Sequence, residues 1–253
     1  MNRIIKALRH PRQAALYAML GSRRYRELMA DRAASDRLAL VARQLEAAPD
    51  VVTKFHLLSY HSGALQQTYW LGVPIQKSPL DCWVYQELIT ELRPDLIVET
   101  GTDLGGSALF LASICDLLGS GRVVTIDVRD VSAVEHPRIV RLHGDSTSPP
   151  ILDAVRGYAD SARTVMVVLD AEHSADHVAR ELRAYREIVT VGSYLVVEDT
   201  NVNGHPVLPD HGPGPYEAVE AFLREDPRFS ADRSREKFLL TYFPGGFLRR
   251  DRA

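Results

Sequence analysis

Four short apolar runs, at residues 96–99, 123–127, 165–170 and 194–198, each close on an acidic side chain, and segments of helical period lie between them. A continuous apolar run bounded by turn residues is the pattern of a strand buried on both faces, as parallel sheets require. Strands alternating with helices are buried that way when helices cover both faces of one sheet. The pattern therefore predicts an α/β fold, a Rossmann-like, doubly wound and mostly parallel sheet. Helices are expected over 80–92, 107–118, 150–158, 174–190 and 217–224. Further strands are expected over 139–142 and 238–243.

Composition narrows the function classes. The chain has 253 residues, with 30 Lys+Arg against 33 Asp+Glu and a net charge of -3. That near-neutral balance makes no case for nucleic acid as a partner. No apolar run approaches the roughly 18 residues of a membrane-spanning helix, so none is expected. Only Cys82 and Cys115 occur, too few for a disulfide scaffold, and a reducing cytoplasm is the simplest compartment. The charge is uneven: residues 1–32 carry eight basic and two acidic side chains. Such a basic stretch suits peripheral contact with an anionic membrane, or packing on a partner subunit or on its own domain.

Residues 1–48 read as helical, with breaks at Pro11 and Gly21 and with Ser35 capping a helix that runs to about Glu46. Residues 49–80 read as irregular chain rich in aromatic and imidazole groups, either binding an acceptor or anchoring itself to the core. The expected organisation is a helical N-terminal extension over 1–50, for oligomer contact or as a lid, and a catalytic domain over 51–253.

In a doubly wound sheet, ligands bind beyond the carboxyl ends of the strands. After the first strand come Glu99, Gly101, Thr102, Gly105 and Ser107, a glycine turn opening a helix whose first N–H groups can meet an anion. The spacing is neither the dinucleotide fingerprint nor a P-loop. The second strand ends at Asp127, placed to accept from ribose hydroxyls. The third leads to Asp145 and Ser146, placed to meet an adenine ring. The fourth ends at Asp170, with His173 three residues on, and the fifth at Glu198 and Asp199. Neighbouring strands bring these three acids together, and converging carboxylates repel unless a cation binds. Hard oxygen donors suit Mg²⁺, Mn²⁺ or Ca²⁺. His173 is suited to serve as general base towards a hydroxyl held there. Lys77, before the first helix of the domain, reads equally as a ligand contact or as a surface cation. The Gly/Pro-rich stretch after the fifth strand, with His205, His211 and Tyr216, reads as a loop covering an acceptor.

The acid followed by a spaced glycine pair and Ser107 resembles the first motif of S-adenosylmethionine (SAM)-dependent methyltransferases. The resemblance becomes specific over residues 70–249. Trp70 and Gly72, Lys77 to Asp81, Glu99 to Ser107, Gly144 to Ser146, Asp170 with His173 and Ser174, and His177 with Glu181 all match. So do Tyr194 through Glu198-Asp199-Thr200, Gly214-Pro215 with Glu217, and Pro244-Gly245-Gly246. Together they are similar to the cephalosporin hydroxylase/rhamnosyl O-methyltransferase family, related to macrolide-sugar O-methyltransferases. The resemblance implies a class I SAM-dependent methyltransferase with two cofactors, SAM and Mg²⁺. It implies Asp170, Glu198 and Asp199 as metal ligands and His173 as the base. Glu99, Gly101, Thr102, Gly105, Ser107, Asp127, Asp145, Ser146 and Asp170 are the expected cofactor contacts. The acceptor it implies is a hydroxyl of a rhamnose-like sugar on a natural product or glycolipid, the assembly a homo-oligomer. A hydroxylated β-lactam-type or other small metabolite is the alternative acceptor, and a catalytically silent partner subunit the alternative role. Hydroxylase chemistry is disfavoured, because carboxylates dominate the strand ends and no facial triad of two His and one carboxylate is evident there.

Overall fold

The structure, a computed structural model, describes residues 32–253, and the expectations for residues 1–31 lie outside them. The chain divides into two compact units between Ala64 and Leu65, later than the boundary expected at residue 50.

In the first unit, helix α1 spans Arg32–Ala47 and helix α2 spans Val51–His61. Two expectations are corrected here. Ser35 lies inside α1 and does not begin it. The stretch expected to be irregular opens with a helix, because Asp50 caps it, accepting from Thr53 N at 2.8 Å and Thr53 Oγ1 at 3.0 Å. The two helices are tied by His61 Nε2 and Gln44 Oε1, 3.2 Å apart.

In the second unit a 3-10 turn over Leu65–Gln67 leads to a two-stranded hairpin, β1 (Tyr69–Trp70) and β2 (Val73–Pro74), whose Trp70 packs edge-on to Phe110 at 4.9 Å. Then follow α3 (Pro79–Leu92), β3 (Leu96–Thr100), α4 (Gly106–Leu118), β4 (Arg122–Asp127), β5 (Ile139–His143), α5 (Pro149–Ala159) and β6 (Val165–Leu169). The chain continues through α6 (Ala175–Tyr185), β7 (Tyr194–Val197), α7 (Pro215–Glu225), β8 (Phe229–Ala231) and β9 (Phe247–Arg250). Seven strands form one sheet in the order β5-β4-β3-β6-β7-β9-β8. The first five run parallel, and β9 and β8 close the edge antiparallel. Every residue of β3, β6 and β7 is buried, as their unbroken apolar runs require. Helices α3, α5 and α7 begin on proline at the first positions, where a missing N–H costs nothing.

The strand expected over 238–243 does not form. Leu239 takes a φ of 68°, and the N–H of Tyr242 is committed to the buried carboxylate of Asp81 at 3.0 Å. A strand needs both the extended backbone and that donor. The closing strand forms later, at Phe247–Arg250. Helix α6 ends at Tyr185, short of the expected residue 190.

Candidate active site

The sheet order places β4, β3, β6 and β7 side by side, so their carboxyl ends share one rim. Register does the rest. Leu169 pairs with Thr100 on one side and with Val197 on the other, so Gly101, Asp170 and Glu198 leave the sheet at the same level. Gly101 is required there: its φ is +86°, and a Cβ on it would lie 2.0 Å from the carbonyl oxygen of Asp170.

Asp170 is the hub. Its Oδ2 accepts from Lys77 Nζ at 2.9 Å, and its Oδ1 lies 3.4 Å from His173 Nε2. The same imidazole nitrogen lies 3.1 Å from Asp199 Oδ2, yet it is aligned for a hydrogen bond with neither acid. One donor atom from each of Asp170, His173 and Asp199 falls within 4.8 Å of the others, the grouping a small cation requires. Asp199 is aimed by backbone conformation, with a φ of 51° that costs a non-glycine residue some strain. Glu198 turns elsewhere: its Oε1 accepts from Lys77 Nζ at 2.6 Å and from Tyr85 OH at 2.7 Å. The acids expected to share one ion are thus arranged as Asp170 and Asp199 with His173, and Glu198 with Lys77.

The electrostatics follow from burial and crowding. Burial disfavours protonated His173, but Asp170 and Asp199 outweigh it and raise the imidazole to about 9. Burial likewise works against the Lys77 ammonium, and Asp170, Glu198 and Glu99 more than restore it, holding it well above its ordinary value. Burial, then repulsion from Asp170, pushes Glu198 far above the carboxylate range. Loss of water works to raise the half-buried Asp170, but Lys77 and His173 hold its carboxyl below the usual value. Lys77 is 5% exposed, so the surface-cation reading of it does not stand.

The other expected residues line the same rim in distinct roles. Glu99 is buried and accepts from Ser107 Oγ and, at 2.7 Å, from Thr125 Oγ1. It thereby ties the start of α4 to β4. Thr102 Oγ1 meets Thr125 Oγ1 at 2.7 Å. Gly105 stands at the N-cap of α4 with a φ of +87° and no side-chain cap, so the helix start is left to a ligand or to solvent. Asp127 accepts from the backbone N–H groups of Asp103 at 2.9 Å and Arg129 at 2.7 Å. Asp145 accepts from Thr147 N at 2.8 Å and caps its own turn. Ser146 Oγ donates to the buried Glu181 Oε1 at 2.6 Å.

Sequence reasoning missed Tyr85 and undervalued Lys77. The available signal was charge: three acids converging on one rim call for a nearby cation, and Lys77 closely precedes an apolar helix. In the loop after β7, Val202 and Val207 are buried anchors. His205 stacks on Tyr216 at 3.8 Å and its Nε2 meets Glu217 Oε1 at 2.8 Å. Ala175 N donates to Pro213 O at 3.0 Å, which lashes the loop beside His173.

Known proteins share this arrangement of sequence and fold. Residues 62–251 match the family model described as Rhamnosyl O-methyltransferase/CmcI. The chain is 39% identical over 209 residues to a rhamnosyl O-methyltransferase of Mycobacterium tuberculosis (strain ATCC 25618 / H37Rv), covering 79% of this chain and 85% of that one. The rhamnosyl O-methyltransferase of Mycobacterium leprae (strain TN) is 39% identical over 205 residues, 78% of this chain and 90% of that one. In fold, an apo structure of CmcI superposes with a TM-score of 0.59 at 22% identity, over 74% of this chain and 78% of that one. A CmcI structure with Mg and SAM gives 0.55 at 22% identity, over 73% and 77%. With a family match spanning the whole sheet and its rim, this chain belongs to the rhamnosyl O-methyltransferase/CmcI family.

Proposed function

We propose that the chain is a SAM- and Mg²⁺-dependent O-methyltransferase whose acceptor is a hydroxyl of a rhamnose-like sugar on a natural product or glycolipid. The observation that carries this reading is the convergence of Asp170, Asp199 and His173 at the ends of β6 and β7, against the glycine turn of β3. The named relatives, rhamnosyl O-methyltransferases, support the acceptor class.

The residues fit both cofactors. Carboxylate oxygens are the donors a hard divalent cation prefers, and Asp170 and Asp199 already offer theirs within 4.8 Å of each other. Glu198, the remaining expected ligand, is held by Lys77 and Tyr85 and stands outside that grouping. The uncapped start of α4 suits an anionic group, as the carboxylate of SAM would provide. Asp127, at the end of β4, is the proposed partner of the ribose hydroxyls, and Asp145 and Ser146, after β5, the proposed contacts of the adenine.

When bound, SAM supplies an electrophilic methyl group, while the divalent ion lowers the pKa of an acceptor hydroxyl and fixes its position. His173 is the proposed acceptor of the hydroxyl proton at Nε2, the imidazole atom that faces the carboxylates; those carboxylates raise the ring to about 9, and only its neutral form takes that proton. Asp170 and Asp199 orient that ring. Gly101 lets the cofactor turn approach β6, so that donor and acceptor can be aligned. The loop over 201–214, fastened beside His173 through Ala175 and Pro213, covers the acceptor side.

Both cysteines are free, in keeping with a reducing, cytoplasmic setting. No helix among the described residues is long and apolar enough to cross a membrane. A homo-oligomer is proposed on the family resemblance, and the exposed Tyr69, Leu71, Trp83 and Leu239 are compatible with it. The basic excess of residues 1–32 favours packing on a partner subunit or on the protein's own domain, with peripheral contact with an anionic membrane as the second reading.

Calorimetric titration with SAM, then Mg²⁺, then EDTA tests the reading in the wild type and in Asp170→Ala. SAM binding with a separate Mg²⁺ event that Asp170→Ala abolishes is the expected result. No SAM binding under any condition would overturn it.

A further inference from the structure

Lys77 raises a question that the methyl-transfer reading leaves open. Lysines are almost never fully buried unless paired. Here the ammonium sits among Glu198, 2.6 Å away, Asp170, 2.9 Å away, and the more distant Glu99. Two of those acids belong to the expected metal ligand set. Tyr85 adds a neutral donor to the Glu198 oxygen that Lys77 already holds.

Two cations cannot both neutralise one pair of carboxylates at full strength. Without any cation, Asp170, Glu198 and Asp199 would crowd three carboxyl groups on one rim, with Glu198 buried, and a buried charge left unpaired is strongly destabilising. With a divalent ion present, a lysine ammonium on the same oxygens is repelled by it. We propose that Lys77 is the built-in counter-ion of the carboxylate rim, holding Asp170 and Glu198 together in the metal-free protein and competing with the divalent cation for their charge. Lys77 is then a positioning residue that sets metal affinity. It keeps the apo site folded and weakens metal binding, so the ion exchanges rather than being locked in. The inference rests on the metal-dependent reading above.

The test uses the full chain as wild type, Lys77→Met and Lys77→Gln, with Mg²⁺ itself as the probe. Two quantities are measured: Mg²⁺ affinity by calorimetry, and Tm in EDTA and in saturating Mg²⁺. A competing counter-ion predicts that Lys77→Met binds Mg²⁺ about tenfold or more tighter. It also predicts a lower Tm in EDTA and a larger Mg²⁺-induced rise than in the wild type, because a ligand at free concentration L stabilises by RT ln(1 + L/Kd), which is larger at a given Mg²⁺ concentration for the tighter binder. Should Lys77→Met fold only with Mg²⁺, that result supports the proposal, and Lys77→Gln, which keeps a donor for Glu198, supplies the affinity comparison. Unchanged or weaker Mg²⁺ binding in a folded variant would overturn it and make Lys77 a fixed prop of the site. A wild type that binds no Mg²⁺ would overturn the metal reading as well, so the two failures are distinguishable.

Discussion

Gly101→Ala is the sharpest single perturbation of this rim, because the turn it sits in touches the hub residue through backbone alone. The added Cβ would lie 2.0 Å from the carbonyl oxygen of Asp170, 2.6 Å from its carbonyl carbon and 3.1 Å from Ala171 N, where contacts begin at 3.4 Å. No side chain can rotate away to relieve that, so the turn and the end of β6 must part by more than an ångström. The φ of +86° adds about 1–2 kcal/mol for any residue bearing a Cβ. Parting the strands stretches the bonds from Asp170 N to Thr100 O, at 3.2 Å, and from Gly101 N to Ile126 O, at 2.8 Å. Each lost bond costs about 0.5–1.5 kcal/mol net. The sum is about 3 kcal/mol, a large fraction of an ordinary domain's stability. For a chain of this size that corresponds to a Tm lowered by about 6–12 °C. The same displacement moves the Asp170 carboxylate, so SAM and Mg²⁺ binding should fall together. Urea unfolding with and without both ligands, beside calorimetry, measures all of this. A variant within about 0.5 kcal/mol of the wild type that keeps both affinities would refute the reasoning, since that is the range of innocuous surface changes.

Two further outcomes are expected. His173→Ala should lose about 10²–10⁴ in kcat while retaining SAM affinity, as loss of a general base does; equal losses in both, read by single-turnover assay and calorimetry, would instead point to a structural part for the ring. For Glu217, burial raises the carboxyl, but the N–H of Gly214, His205 and Asn203 prevail and hold it at about 2, well below its unfolded value of 4.5. A depressed carboxyl stabilises above its unfolded pKa, and that stability drains away as pH falls from about 5 towards 2. Because Glu217 is partly exposed, the contribution at neutral pH is discounted to about 1 kcal/mol. Glu217→Gln should thus be less stable at pH 7 and show a flatter loss between pH 5 and pH 2 in thermal melts.

The parallel sheet was legible because its strands are buried on both faces and write themselves as unbroken apolar runs, such as the one ending at Leu169. The rim was legible because topology forces strand ends together, whatever lies between. What failed to show had local causes. The helix opening at Val51 hangs on one cap, Asp50, amid aromatic residues that also suit loops. The last strand was misplaced because Tyr242 and Phe243 look extended, while the bond that claims Tyr242's donor comes from Asp81, far away in the chain. The partnership of Lys77 and Tyr85 with Glu198 is a matter of how α3 lies on the sheet rim. No spacing in the sequence encodes that placement, although the excess of converging carboxylates implied that a cation must stand near.

Methyl transfer itself tests the role of the carboxylate rim. Purified protein is incubated with SAM and a rhamnosylated acceptor, with Mg²⁺ or with EDTA, and the acceptor is followed by mass spectrometry. One added methyl group on a sugar hydroxyl is expected, formed with Mg²⁺, suppressed by EDTA and absent in Asp170→Ala. Methylation that proceeds equally in EDTA and in Asp170→Ala would contradict it, because the carboxylate rim would then have no part in activating the acceptor.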